Sequence, residues 1–281
     1  HYSMGGIRVN KDGHAYGLEG LWSVGESACW DMHGMNRLGG NSLAETVVAG
    51  MFCGQRMGQW ASQQEPVLDA KLAAEAEAEQ QERIDNLLGD GLGQANENAD
   101  ELLNIMQETL QDKVGIFRKG DQLAEAVDTL RELYQRTQNL KLRSSTRGVN
   151  PEVALALRLP GMIKLGLCVA KGALLRTESR GGHSREDYPE RNDKDWLNRT
   201  LARWPEGATE PDISYEPVGL LESPPGHRGY GGATNIPMEQ SVQEYNDNVK
   251  QEWIKQGWHE TATPIGAELK EMVEYASTKE S

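Results

Sequence analysis

The sequence runs to 281 residues, 37% hydrophobic and 26% charged, proportions typical of a soluble protein, and its formal net charge of −14 argues against a nucleic-acid partner, since phosphates call for basic patches. No apolar run approaches the roughly 18–20 residues that span a bilayer, and no signal peptide is visible. Cys29, Cys53 and Cys168 are odd in number and lack metal-ligand spacing, which points to a reduced compartment.

The chain opens at His1 rather than at a methionine, inside what reads as a motif, so a segment of a longer polypeptide is expected. Residues 1–62 are rich in glycine and apolar side chains. Ile7–Asn10, the turn-forming Lys11-Asp12-Gly13 and Ala15–Leu18 predict a hairpin. Gly20–Glu26 predicts a short buried strand ending in a carboxylate. A loop of small and polar residues leads to a helix over about 43–60, with Ser42 and Glu45 in capping-box register. Gly50, Gly54 and Gly58 fall on one face of that helix. Each costs about 1 kcal/mol against alanine, so the stripe predicts a second backbone in close approach.

Residues 66–178 are helical in pattern. Ala70–Leu88 is rich in alanine, glutamate and glutamine. Between Glu65 and Lys113 thirteen acidic residues face three basic ones, which reads as solvated helix faces. Leu123, Ala126, Leu130, Leu133 and Tyr134 keep a three-and-four spacing after an expected N-cap at Asp121. Asn150-Pro151-Glu152 marks another start, and Pro160-Gly161 is expected to kink or interrupt the run to Arg176. Helices joined by short polar turns make a bundle. Beyond Gly181 the texture changes to proline, glycine and charge. Strands are expected at 200–204 and 213–218, extended chain over 222–237 and a helix over 240–256.

Four features of the first 45 residues can serve one site. His1-Tyr2-Ser3-Met4-Gly5-Gly6 offers a hydrogen-bond donor to a carboxylate, with paired glycines that admit a ring or another backbone. Glu26, past the end of the expected strand, suits hydroxyl groups of the ribose type. Arg37, in Met32-His33-Gly34-Met35-Asn36-Arg37-Leu38-Gly39-Gly40, has a planar fork that matches a carboxylate, and the glycines beside it leave room. The helix start at Asn41-Ser42-Leu43 presents free amides and a positive dipole end to a developing anion. Taken singly, the first three have a structural reading too: a structural histidine, an ordinary strand-end acid, a surface arginine in a mobile loop. The charges of Arg176–Trp196 fit a merely solvated segment on pattern alone, while their near-balanced signs and interleaved glycine, tyrosine and tryptophan suggest a docked loop with internal ion pairs, in which His183 is a structural hydrogen-bonder. Zinc is not expected, because neither H-x-x-x-H nor C-x-x-C occurs.

Together the glycine motif at 1–6, Gly20–Glu26, His33–Glu45 and the stretch Arg176–Arg191 (RTESRGGHSREDYPER) resemble the flavoprotein subunits of fumarate reductase and succinate dehydrogenase. The resemblance implies an α+β fold: the C-terminal part of a Rossmann-like FAD-binding domain (1–62), a helical bundle domain (63–196) and an extended C-terminal tail with short strands and a helix (197–281). It implies FAD as cofactor, completed by an upstream half, and hydride exchange with the fumarate/succinate pair. His1 and Arg37 would bind the dicarboxylate. His1, Tyr2, Glu26, Arg37, Leu38, Gly39, Gly40, Asn41, Ser42 and Leu43 would contact FAD. Ser3, Met4, Gly5, Glu26 and Ala28 would surround a monovalent cation. No catalytic proton donor is expected within these residues, the family's arginine lying upstream. The implied partners are an iron–sulfur subunit and, through it, membrane quinone-binding subunits, with membrane association on the cytoplasmic face. Two other readings stand beside this one: a soluble L-aspartate oxidase-like flavoprotein, and a non-catalytic fragment that docks a partner subunit.

Overall fold

A computed structural model describes residues 4–30, 32–65, 69–89 and 96–218. Backbone contacts divide the chain into one unit of His1–Glu216 and another of Pro217–Ser281. The extended stretch expected over 222–237 and the helix expected over 240–256 lie outside the described residues. So do His1, Tyr2 and Ser3.

The first 62 residues carry mixed secondary structure. Asn10 builds the expected turn, its side-chain oxygen accepting from the amides of Asp12 and His14 at 2.9 and 3.1 Å. The hairpin closes with its register intact, Tyr16 N–H donating to Arg8 O at 3.1 Å and Asn10 N–H to His14 O at 2.9 Å. Among the described residues here, regular strand is limited to β1 (Ile7–Arg8) and β2 (Ala28–Cys29), which pair in parallel. The strand expected over 20–26 does not form. That segment joins the hairpin through single bonds, such as Ser23 N–H to Gly13 O at 2.9 Å, and turns into a short 3-10 segment at Gly25–Ser27. Glu26 therefore sits on an exposed turn rather than at a strand end.

Helix α1 (Asn41–Ala61) spans the expected helix and buries only Glu45, Ala49 and Cys53, a narrow stripe four residues apart. Leu43, Val47, Val48 and Met51 on the rest of its surface are each more than half exposed. No atom lies within 4 Å of where side chains on Gly50, Gly54 and Gly58 would begin, so the close backbone neighbour that these glycines predict is absent among the described residues. An apolar face this large on a helix signals a surface made to be covered.

The bundle comprises α2 (Ala70–Leu88), α3 (Ala99–Lys113), α4 (Gly120–Arg136) and α5 (Pro151–Leu175). Helix α2 matches its expected bounds and buries no residue, as its acidic composition predicts. Asn98 and Asn150 cap α3 and α5, each accepting from amides two or three residues on. Helix α4 starts one residue before the expected cap. Asp121 lies inside it, and the amide of Gly120 is taken instead by Asp187 at 3.1 Å, an acceptor remote in sequence. Pro160 does not interrupt α5, which runs through it to Leu175.

Helix α5 is also the exception to the reading that no apolar run is membrane-length: its 25 residues reach a mean hydropathy of 1.7 over an 18-residue window. It is the bundle's central element instead. Leu159, Ile163, Leu167 and Ala170 are fully buried against Leu102 of α3 and Leu123 and Leu130 of α4. Gly166 faces α3, a side chain there beginning 3.4 Å from Leu110 Cδ1, an ordinary packing contact. Beyond α5, β4 (Ser184–Arg185) pairs in parallel with β3 (Phe117–Arg118), tying the loop after the bundle to the α3–α4 connection. A one-turn helix α6 (Asp193–Trp196) precedes β5 (Asn198–Arg203) and β6 (Asp212–Pro217), which pair with each other and match the two expected strands.

Candidate functional site

The site assembles because two glycines let separate segments touch. Gly6, at φ +155°, lies against the backbone of Ser27 and Ala28, where a side chain would begin 2.4 Å from Ser27 O. The second of the paired glycines thus admits another backbone. Gly25, at φ +68°, brings the Glu26 turn onto α1, where a side chain would begin 2.8 Å from Thr46 Oγ1. In this way Gly6, the Glu26 turn and the start of α1 become neighbours.

Arg37 lies between them and is 3% exposed. Its Nη1 donates to Glu45 Oε2 on α1, while Nη2 points to the carbonyls of Gly25 and Ala28 at 3.5 and 3.4 Å. His33 Nε2 lies 2.7 Å from the same Glu45 oxygen. The capping box expected between Ser42 and Glu45 therefore does not form, because Glu45 is drawn into this buried cluster. Ala28 O, one of the expected cation ligands, is turned toward the guanidinium. Met4 and Gly5 are exposed close by.

The tip of α1 is left uncapped. Gly40 takes the N-cap position at φ +83° and supplies no side chain. The amides of Ser42 and Leu43 have no acceptor among the described residues, and Ser42 Oγ is buried without a partner. Positions where side chains on Gly39 and Gly40 would begin are open, and Leu38 and Leu43 are 63% and 71% exposed. Unsatisfied amides at a helix tip favour negative charge, and exposed leucines beside open glycines favour a flat apolar face. These features fit the ring of a flavin. Glu26, exposed on its turn, is free of any such packing constraint and suits hydroxyl groups.

The Arg176–Arg191 stretch folds into a knot of ion pairs. Glu178, fully buried, accepts from Arg176 Nη1 at 2.6 Å, from Arg180 Nε and Nη2 at 2.7 and 2.9 Å, and from the Asn192 amide at 2.8 Å. Arg185 Nη1 donates to the carbonyls of Ala173, Leu174 and Arg176, stopping the C-terminal end of α5, and its other edge grips Asp187 at 2.8 and 2.7 Å. That grip holds the Asp187 carboxyl down to about 2. His183 accepts from Arg118 Nη1 at Nδ1 (2.6 Å) and donates from Nε2 to Arg176 O (3.2 Å), the structural role expected of it. Burial, reinforced by the charges of Arg118, Arg176 and Arg185 against the pull of its backbone bond, lowers its pKa to about 4.

A neutral His183 makes stability pH-dependent. Between pH 6.5 and about 4 the unfolded chain binds a proton there that the folded chain refuses, so this contribution is complete above pH 6.5 and is lost as pH falls toward 4. We expect urea midpoints to drop across that window by the equivalent of at most about 3 kcal/mol, and the drop to shrink in His183→Gln.

The tip of this knot reaches the site. Gly181, at φ +57°, packs on Met35, where a side chain would begin 2.7 Å from its backbone oxygen, and Gly182 N–H donates to Met35 O at 3.1 Å. A side chain on Gly182 would begin 2.5 Å from Met4 Cε. The two motif stretches, far apart in sequence, thus meet beside Arg37. The signal for this contact was present as the glycine pair, but its partner was not readable from the sequence. Glu45 and His33, the side chains that meet at Arg37, were not among the site residues expected from the sequence.

The uncapped helix tip beside open glycines suits an anionic ring, and residues 1–43 match the family model of an FAD binding domain, which sets the class as a flavin-binding protein. Residues 104–230 match that of the fumarate reductase flavoprotein C-term. The chain belongs to the family of fumarate reductase and succinate dehydrogenase flavoprotein subunits, whose cofactor is FAD. It is 44% identical over 239 residues to the fumarate reductase flavoprotein subunit of Helicobacter pylori, covering 84% of this chain and 33% of that protein. With the succinate dehydrogenase flavoprotein subunit of Rickettsia felis it shares 36% over 234 residues, covering 78% and 37%. Among solved structures, an E. coli quinol fumarate reductase variant superposes with a TM-score of 0.75 at 30% identity, covering 83% of this chain and 39% of that one. The Mycobacterium smegmatis Sdh1 complex gives 0.66 at 34%, covering 77% and 35%. The chain therefore spans about a third of the length of the curated relatives it matches.

Proposed function

We propose that this chain supplies the dicarboxylate clamp and the flavin-facing helix tip of an enzyme that interconverts fumarate and succinate, and that electrons pass on to an iron–sulfur subunit and a quinone pool. Residues 1–62 would complete an FAD-binding domain begun upstream, 63–196 form the bundle behind it, and 197–281 extend from it. The observation that carries this reading is the buried Arg37 standing beside the uncapped start of α1. Membrane association would come through the partner subunits, on the cytoplasmic face.

The work of these residues follows from their chemistry. Arg37 would grip one carboxylate, strengthened by burial because the guanidinium's charge is poorly screened there. His1 would donate to the dicarboxylate. Clamping both ends of the substrate would polarise the bond between them, and cationic groups would stabilise carbanion-like charge. Ser42 and Leu43 would direct their amides at negative charge on the reduced ring. Leu38, Gly39, Gly40 and Asn41 would line the ring, Tyr2 would lie against it, and Glu26 would hold cofactor hydroxyls. Ser3, Met4, Gly5, Glu26 and Ala28 would surround a monovalent cation. Bound FAD would supply the two-electron chemistry.

Two measurements test the reading. The complete subunit should show flavin absorbance together with succinate–fumarate turnover and should co-purify with an iron–sulfur protein. Turnover absent from a flavin-loaded complete subunit would end it. The 281 residues alone should bind FAD weakly or not at all, because the exposed face of α1 awaits the rest of the domain. A stoichiometric yellow cofactor on the isolated chain would contradict that expectation.

A further inference from the structure

We propose that Glu45 is the positioning residue of the clamp: it fixes the orientation of Arg37 and references it to the same helix that faces the flavin. This rests on the reading that Arg37 grips the substrate.

Glu45 occupies a core position of α1, in line with Ala49 and Cys53, and its side chain is fully buried. A carboxylate there does nothing for α1 itself, since it bonds no backbone amide at the helix start. Its Oε2 takes both Arg37 Nη1 and His33 Nε2, while Oε1 has no partner among the described residues. Burying an ion pair is seldom a gain in stability over apolar residues of similar volume, so packing does not account for the acid. Orientation does. A guanidinium is planar, and one held at Nη1 by Glu45 and at Nη2 by the carbonyls of Gly25 and Ala28 has its plane and roll fixed from two directions. One of those anchors belongs to α1, three residues beyond Ser42, or roughly 4.5 Å along the axis. Arg37 and the Ser42 amide therefore cannot shift independently. Substrate and flavin would be registered to one rigid element, which is what an oriented transfer between them requires.

The test uses the complete, FAD-loaded subunit. Glu45→Gln keeps an acceptor oxygen and removes the charge. It should raise the KM for succinate and the Kd for malonate, a dicarboxylate that cannot be oxidised, by about tenfold or more, with FAD content unchanged. Glu45→Asp, which keeps the charge, should recover part of that loss, and His33→Gln should shift KM in the same direction by less. Normal KM and malonate affinity in a folded Glu45→Gln would overturn the proposal. Should Glu45→Gln fail to fold, Glu45→Asp and His33→Gln decide it, and unchanged malonate affinity in both would overturn it. Arg37→Lys separates the two levels of argument. If it retains normal turnover, the clamp reading itself falls; if it is inactive while Glu45→Gln is normal, only the positioning role falls.

Discussion

Arg37→Lys in the complete subunit should lower kcat/KM for succinate by about a hundredfold or more, a loss of roughly 2.7 kcal/mol in transition-state stabilisation. The expected size follows from geometry. The arginine reaches Glu45 with one nitrogen and the Gly25 and Ala28 carbonyls with another. An ammonium is a single point of charge on a flexible stem. It can keep Glu45 as its partner or reach outward, but it cannot reproduce a planar fork. Steady-state kinetics on the FAD-loaded variant check this, and near-normal turnover would remove Arg37 from the site.

Glu178→Ala should destabilise the subunit by about 3–5 kcal/mol, because it strips the shared carboxylate from two guanidinium groups held in the interior. Arg176 would keep the carbonyls of Trp196 and Asn198 and its stack on Trp196, but its charge would stand uncompensated. Arg180 would retain Asp193 alone. Burial already lowers the pKa of Arg176 despite the acid beside it. Urea titration followed by circular dichroism checks the loss. A change below about 1 kcal/mol would show that the knot is not held by its central acid.

Helices whose ends are marked by local chemistry could be read from the sequence. Asn150-Pro151 set the start of α5 because a cap and a proline act on neighbouring backbone, and the alanine–glutamate run defined α2 by composition alone. Where a residue had two uses, the local reading failed. Glu45 has the spacing of a capping box, yet a buried arginine attracts it more strongly than an amide does, and the loop that carries Arg37 is invisible to periodicity. Asp121 looked like a cap, but Asp187 from a distant loop had already satisfied the first amide of α4. The segment 20–26 has a strand's residues but only scattered bonding partners. The stripe Gly50–Gly54–Gly58 led to the expectation of a close backbone neighbour, and no described residue supplies one. For the site, residue types and their order were enough to nominate Arg37, Glu26 and the start of α1. The partners that hold them were not, because those contacts cross between segments.

The bond from Gly182 N–H to Met35 O gives the molecule a natural gauge of loop seating. An amide exchanges its hydrogen with solvent only when its acceptor moves away. Deuterium uptake at Gly182 should therefore slow when malonate occupies the complete subunit, while amides deep in α5 keep the same rate. Uptake at Gly182 indifferent to malonate would mean that the knot and the His33–Gly40 loop breathe independently.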